Sequence, residues 1–163
     1  GGGEARIACM HALFGRRTEV SGRLVWAEPP LADRPLLNTN ALHNNIAVVQ
    51  RDPESKRDGR VGFVDKAARA VAAGAVGVVV VNFAEKLLAP WRWTNDSCDA
   101  DAIQVPVVCV GAEAAPQLRE GAECRITFHR PQAAAAALEE QKRAVDEEVA
   151  RGEEEGAKEG GEK

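Results

Sequence analysis

Two short apolar runs separated by an amphipathic stretch form the most regular pattern in the chain. Ile46–Gln50 and Gly74–Asn82 are rich in β-branched residues, which is typical of strands buried on both faces. Between them, apolar residues recur with helical spacing over residues 63–75, and Gly74 supplies a left-handed helix stop. The polar side chains on the opposite face of this helix are Asp65, Lys66 and Arg69. Strand, helix and strand in this order predict a right-handed βαβ unit with parallel strands.

The rest of the chain predicts strands and loops that cover this unit. Four further segments have the apolar or alternating pattern of strands: Ala5–Gly15, Gly22–Pro30, Ile103–Gly111 and Cys124–Phe128. Pro106 predicts an edge, a strand start or a bulge at that residue. Leu31–Asn45 is rich in Asn, Asp and Pro and predicts an extended loop, whereas Ala112–Gly121 suits a short helix. Arg51–Arg60 is polar throughout and predicts an exposed loop.

Length and charge indicate one domain with one hydrophobic core and a charged tail. The chain has 163 residues, 45% of them hydrophobic. We expect a cloning remnant or flexible start over residues 1–4, a domain over 5–130, and a helical-to-disordered tail rich in Ala, Glu and Gly over 131–163. Before residue 132 the chain has 16 basic and 15 acidic residues, so the domain is nearly neutral. This balance argues against nucleic acid as a partner and against membrane contact by this segment, and we expect a monomer in isolation.

The residues that could support catalysis or metal binding are scattered. The four cysteines form no CxxC pair and the three histidines lie on different segments, so we expect no metal, no cofactor and no catalytic residues. No G-x-G-x-x-G motif is present for a nucleotide. Cys109 and Cys124 lie in apolar strands and suit inert thiols, whereas Cys98 lies in a polar loop and is the candidate for reactivity or pairing.

Two loops are the candidate binding surface. Phe83–Ala102 and Arg51–Arg60 leave the C-terminal ends of the two buried parallel strands, so they should meet at one rim. Tryptophan offers a large contact area and arginine can orient a carboxylate. A tryptophan in such a loop can equally pack over the hydrophobic core of the domain. The candidate residues for binding a peptide or partner are Arg51, Arg57, Leu88, Trp91, Arg92 and Trp93.

Read together, several motifs in order resemble the protease-associated domain family. These motifs are ALFG at 12–15, GRLVWAEPP at 22–30, RPLLN at 34–38, IAVVQR at 46–51, FVDK at 63–66, AAGAVGVVVVN at 72–82 and VPVVCV at 105–110. The resemblance covers residues 5–128. Many members have two cysteines that pair, and the matching positions here are Asp33 and Val61. The family usually belongs to secretory, endomembrane or extracellular proteins, but without that pair the sequence does not indicate an oxidising compartment.

The resemblance implies both a fold and a function. The fold would be α+β, of the swivelling β/β/α type, with mixed β-sheets forming a partly open barrel around the βαβ unit and two or three packed helices. The function would be that of a non-catalytic protein-interaction or substrate-recruitment module in a larger protein, such as a protease, a sorting receptor or a ubiquitin ligase. Its partner would be a protein or peptide ligand, or the catalytic domain of the same parent chain.

Two other functions remain open from the sequence. One is a small α/β enzyme of the hydrolase class, which a turnover screen with ester, peptide and phosphate substrates would reveal. The other is a structural spacer, which a surface without a contiguous apolar groove would favour.

Overall fold

A computed structural model of the protein describes residues 4–53, 60–92, 96–128 and 132–159. The chain divides into two compact units, residues 1–128 and residues 129–163. The strands of the first unit are β1 Met10–His11, β2 Val20–Trp26, β3 Ile46–Gln50, β4 Gly77–Val81, β5 Val107–Val110 and β6 Glu123–Ile126. Its helices are α1 Thr39–Leu42 and α2 Phe63–Ala72, with two 3-10 helices at Ala100–Ala102 and Ala112–Gln117.

The six strands form one mixed sheet in the order β1-β5-β4-β3-β2-β6. The four central strands are parallel, and β1 and β6 pair antiparallel to them at the two edges. The predicted βαβ unit is confirmed: β3 has the expected bounds, β4 pairs with it in parallel, and α2 connects them. Gly74 has φ of +90° and a Cβ there would collide with the His43 imidazole, so the helix stop requires glycine.

The sheet curls into a half-barrel, in agreement with the α+β fold expected from the sequence. His11 on one edge strand and Phe128, just beyond the other, bring their rings to 5.3 Å in an edge-to-face contact. An edge-to-face pair of rings at this distance is a favourable arrangement. The contact therefore draws the two edges of the sheet toward each other.

Apolar side chains pack on both faces of the sheet, which corrects the expectation of one core. One cluster lies under α2 and includes Val49, Val80 and Phe63. The other lies against the 3-10 helix Ala112–Gln117 and includes Val48 and Val79. Because successive residues of a strand point to opposite faces, a continuous valine run supplies both clusters at once.

The peripheral elements differ from the sequence predictions. The first strand is only two residues long, although the Ala12 amide still donates to the Val107 carbonyl of β5 at 2.8 Å. The predicted loop Leu31–Asn45 contains the short helix α1, and the predicted helix Ala112–Gly121 is a 3-10 helix with Pro116 inside it. Of the three positions predicted for Pro106, the strand start is the one observed, because Pro106 directly precedes β5, an internal strand. Proline lacks an amide donor, and here only its carbonyl, which accepts from Val78, joins the sheet.

The charged side chains of α2 are a further correction. Asp65 and Lys66 were placed opposite the apolar stripe, yet they are only 9% and 1% exposed. Lys66 Nζ donates to an Asp52 carboxylate oxygen at 2.9 Å and to the Leu31 carbonyl. Asp52, 4% exposed, also accepts from the Val61 amide at 2.7 Å. Oxygen atoms of Leu31 and Asp52, which lie in two loops, therefore compensate the buried charge of Lys66. The helical periodicity of the sequence gives no information about these partners.

The carboxylate of Asp65 secures the segment before the first 3-10 helix. It accepts the amides of Ser97 and Cys98 at 3.0 and 2.9 Å. Burial acts to raise the pKa of Asp65, but the donated hydrogen bonds from these two amides leave that pKa below its ordinary value. Hydrogen bonds to the Asp65 carboxylate therefore hold residues 97–98 against α2, in addition to any apolar contacts.

The second unit contains one long helix, α3 Gln132–Glu159. Its described side chains are largely exposed, including Val145 at 54% and Val149 at 57%. The sequence predicted a helical-to-disordered tail here, whereas the described helix continues to Glu159, into the Gly-rich end expected to be disordered. Residues 160–163 lie outside the described ranges. Among the described residues, no helix is both long and apolar enough to cross a membrane.

Breaking the Lys66–Asp52 pair is expected to destabilise the domain strongly. Lys66→Met leaves the Asp52 carboxylate buried without its ammonium, which should lower the free energy of unfolding by about 3–5 kcal/mol. Urea denaturation measures this loss. The control is Arg125→Met, because Arg125 and Glu19 are joined by the same N–O distance of 2.9 Å but are 66% and 46% exposed. That variant should lose about 1 kcal/mol or less, and equal losses would contradict the role given to burial.

Asp65→Asn is expected to loosen residues 96–98. Hydrogen exchange of the Ser97 and Cys98 amides should accelerate by about tenfold, since one accepting oxygen is replaced by a donor. Because the folded pKa of Asp65 is lowered, its stabilising effect is present above pH 3.8 and is lost as the pH falls through the lowered pKa. The difference in Tm between wild type and variant should therefore shrink below pH 3.8. Asp101→Asn, at an exposed carboxylate, should change neither measurement.

Candidate functional site

The candidate site lies at the C-terminal ends of the parallel strands β3 and β4. Arg51 follows β3 directly, and its amide donates to the Val81 carbonyl at 2.9 Å. Asn82 follows β4 directly, and its amide donates to the Val110 carbonyl at 2.9 Å. The two loops therefore start side by side, as the parallel arrangement of their strands predicts.

The guanidinium of Arg51 lies among three aromatic rings. Its Cζ atom is 4.5 Å from the ring centroid of Phe83, 5.6 Å from that of Trp91 and 5.7 Å from that of Phe63. Each contact of this kind contributes about 0.5–2 kcal/mol. Phe63 is buried, whereas Phe83 is 40% exposed and Trp91 is half-buried. We call the cluster of Arg51, Phe83 and Trp91 the rim surface.

Asn82 holds the rim surface in place from below. Its side-chain oxygen accepts from Arg51 Nη1 at 3.2 Å and from the Phe83 amide at 2.9 Å. Its Nδ2 donates to the Lys86 carbonyl at 2.7 Å, and the residue is only 3% exposed. Sequence reasoning did not single out Asn82. The available signal was a lone amide residue directly after an apolar strand, where turns begin.

The structure brings together some of the predicted site residues. Arg51 and Trp91 share the rim surface, and Trp91 also packs edge-on against Phe63 at 5.2 Å and contacts the core cluster under α2. Leu88, like Trp91, is half-buried and contacts that same cluster. Arg92 is exposed. The other two predicted residues, Arg57 and Trp93, lie outside the described ranges.

A groove adjoins the rim surface, and Trp91 belongs to both. It encloses about 560 Å³ between the turn at residues 13–16, residues 91–92 and residues 100–104. This volume falls within the range of about 300–1,000 Å³ typical of ligand sites. Sequence reasoning had not connected residues 13–16 with the candidate site, because they are separated from Trp91 by most of the domain.

The thiols of the domain are poorly activated. All four cysteines, which lie in the described ranges, are free. Cys98 is exposed, but desolvation and a hydrogen bond with Asp65 raise the pKa of its thiol, which disfavours the reactive thiolate. Burial raises the pKa of Cys109 to about 11. Within the described ranges, no three His, Cys, Asp or Glu side chains are grouped to hold a metal ion.

The comparisons with known proteins identify a family. The family model described as PA domain matches residues 20–118. The comparison with curated proteins gave no match.

Two solved proteins illustrate the structural matches. An aminopeptidase from Aneurinibacillus sp. strain AM-1 is 21% identical with a TM-score of 0.49, over 72% of this chain and 26% of that chain. A zinc aminopeptidase from Bacillus subtilis is 22% identical with a TM-score of 0.46, over 75% of this chain and 28% of that chain. The chain therefore spans less than a third of the length of these structures.

The match to the family model extends from the start of β2 through the βαβ unit and both loops of the candidate site to the 3-10 helix Ala112–Gln117. It covers well over half of the chain and includes most of the motifs that carried the resemblance seen in the sequence. The chain belongs to the PA domain family.

Proposed function

We propose that this domain is a non-catalytic protein-interaction or substrate-recruitment module that presents the rim surface to a protein or peptide. The observation that supports this proposal is that buried polar side chains of this part of the domain form hydrogen bonds with the domain's own loops. Asp52, Asp65 and Asn82 all accept hydrogen bonds from loops of the same domain. These groups therefore fix the loops, while the ring of Phe83 faces solvent.

The chemistry of the rim surface suits macromolecular recognition. Tryptophan and arginine are enriched at the residues that dominate binding energy. Large aromatic rings give much contact area for little lost conformational freedom, and a guanidinium group offers several hydrogen-bond donors in a fixed plane. Arg51 is already held by three rings and by Asn82, so it loses little further freedom on binding. Such preorganisation lowers the cost of association.

The partner is a protein or peptide ligand, or the catalytic domain of the same parent chain. Membership of the PA domain family supports a protease-associated module within a larger protein. The resemblance described above extends the candidate parent proteins to proteases, sorting receptors and ubiquitin ligases. In this function the domain selects and positions a protein or peptide ligand, and any chemical reaction takes place in another domain of the parent protein.

The rim surface can be tested with a phage-displayed library of random heptapeptides selected on the full chain. We expect peptides to be enriched, and Phe83→Ala to weaken their binding by about tenfold, the loss of a typical hot-spot contact. Fluorescence anisotropy of the synthetic peptides measures this change. Phe83 is exposed enough that the variant should keep its Tm within a few degrees of the wild-type value.

Leu37→Ala is the matched control, because Leu37 is an apolar residue exposed at 83% that belongs neither to the rim surface nor to the groove. Its peptide affinity should stay within about threefold of wild type. No enrichment of peptides, or equal loss in both variants, would overturn the proposal. Turnover of ester, peptide or phosphate substrates by the purified chain would replace it with an enzyme.

A further inference from the structure

The groove beside Trp91 has a wall, formed by residues 13–16, that backbone hydrogen bonds hold against the chain at Pro90 and Val105. The Leu13 amide donates to the Pro90 carbonyl at 2.9 Å, and the Arg16 amide donates to the Val105 carbonyl at 3.1 Å. Gly15, between them, has φ of +82°, and a Cβ there would lie 2.6 Å from the Val105 carbonyl oxygen. Only glycine allows this approach, so the turn that forms the wall is held close against the chain before β5.

Part of the groove lining is apolar. Phe14 and Ile103 are buried in the core cluster under α2, and the half-buried ring of Trp91 packs against the same cluster. Leu13 lies at the mouth with 68% of its surface exposed. A single exposed leucine is ordinary on a protein surface. Here Leu13 lies beside the apolar lining residues Phe14 and Trp91 and enlarges the apolar surface of the groove. The groove can therefore enclose an aliphatic side chain and gain from removing Leu13 and Trp91 from water.

The charges at the groove favour an anion. Arg16 and Arg92 both line it and both are exposed. Among the described residues, neither guanidinium forms an ion pair or a side-chain hydrogen bond. Asp101 is the one carboxylate among the lining residues, so the groove has a net charge of +1. Two arginines with free donors next to apolar lining residues can pair with a carboxylate while its neighbouring side chain is buried.

We propose that the groove binds a peptide segment in which a large aliphatic residue lies next to an acidic residue. This inference rests on the proposed recruitment function and names the class of ligand. The aliphatic side chain packs against Leu13, Phe14 and Trp91, and the carboxylate pairs with Arg16 and Arg92. A peptide is favoured over nucleic acid because the remainder of the domain is nearly neutral and two arginines are too few to follow a phosphate backbone.

The test uses the full chain and a fluorescein-labelled peptide of sequence Gly-Ala-Leu-Glu-Glu-Ala-Gly with an amidated end. Three matched peptides replace both glutamates by glutamine, both glutamates by lysine, or the leucine by alanine. We expect the acidic leucine peptide to bind about tenfold more tightly than each of the others, the strength of one charge-assisted or buried apolar contact. Its affinity should fall as salt is added, since exposed charges are screened.

Variants of the chain assign the binding to the groove. Arg16→Gln and Arg92→Gln should each weaken the acidic peptide by about tenfold, and both should leave the glutamine peptide unchanged. Arg119→Gln, at an exposed arginine outside the groove, is the matched control and should have no effect. Leu13→Ala should reduce the preference for leucine over alanine without lowering Tm, because Leu13 is largely exposed.

Each outcome decides the inference. Equal binding of the acidic, glutamine and lysine peptides, or insensitivity to Arg16→Gln and Arg92→Gln, would overturn it. Equal displacement of the peptide by a single-stranded DNA of the same charge would also overturn it, in favour of a general anion site. If library peptides depend on Phe83 but not on Arg16 and Arg92, the inference fails while the proposed function stands. If no peptide binds the chain at all, both fail.

Discussion

The buried ion pair between Lys66 and Asp52 is the interaction on which the functional end of this domain depends. An ammonium inside a protein loses the solvation of water, so it persists only where oxygen atoms of the fold replace that water. Lys66 finds them in Asp52 after β3 and in the Leu31 carbonyl of the loop before α1. One side chain of α2 thus fixes the chain on both sides of β3.

The same principle operates around the rest of α2. Arg69 Nη1 donates to the Ala32 carbonyl at 2.7 Å, and Asp65 accepts the amides of Ser97 and Cys98. Irregular loops leave part of their backbone groups without backbone partners, and here charged side chains of a helix bond some of these groups. The polar face of α2 therefore binds loops of the domain, and this explains why Asp65 and Lys66 are buried and not solvated.

These anchors allow irregular loops to present a defined surface. The rim surface and the groove share Trp91, whose ring packs edge-on against Phe63. A recognition surface is effective when its side chains are ordered before the partner arrives, because less entropy is then lost on association. The family to which the chain belongs, the anchored loops and the exposed aromatic and arginine side chains together support recruitment as the function.

Local sequence patterns are sufficient to predict the centre of this fold, whereas its periphery depends on contacts between distant segments. Parallel strands buried on both faces appear as continuous apolar runs, and so β3 was predicted with the observed bounds and β4 and α2 with ends within a few residues. Helical periodicity misplaced Asp65 and Lys66, because the loops that cover them come from distant parts of the chain. The groove could not be foreseen for the same reason, since residues 13–16 and Trp91 meet only when β1 pairs with β5. Local patterns report which side chains avoid water, whereas the partners of buried charges and the walls of a groove depend on contacts between residues far apart in sequence.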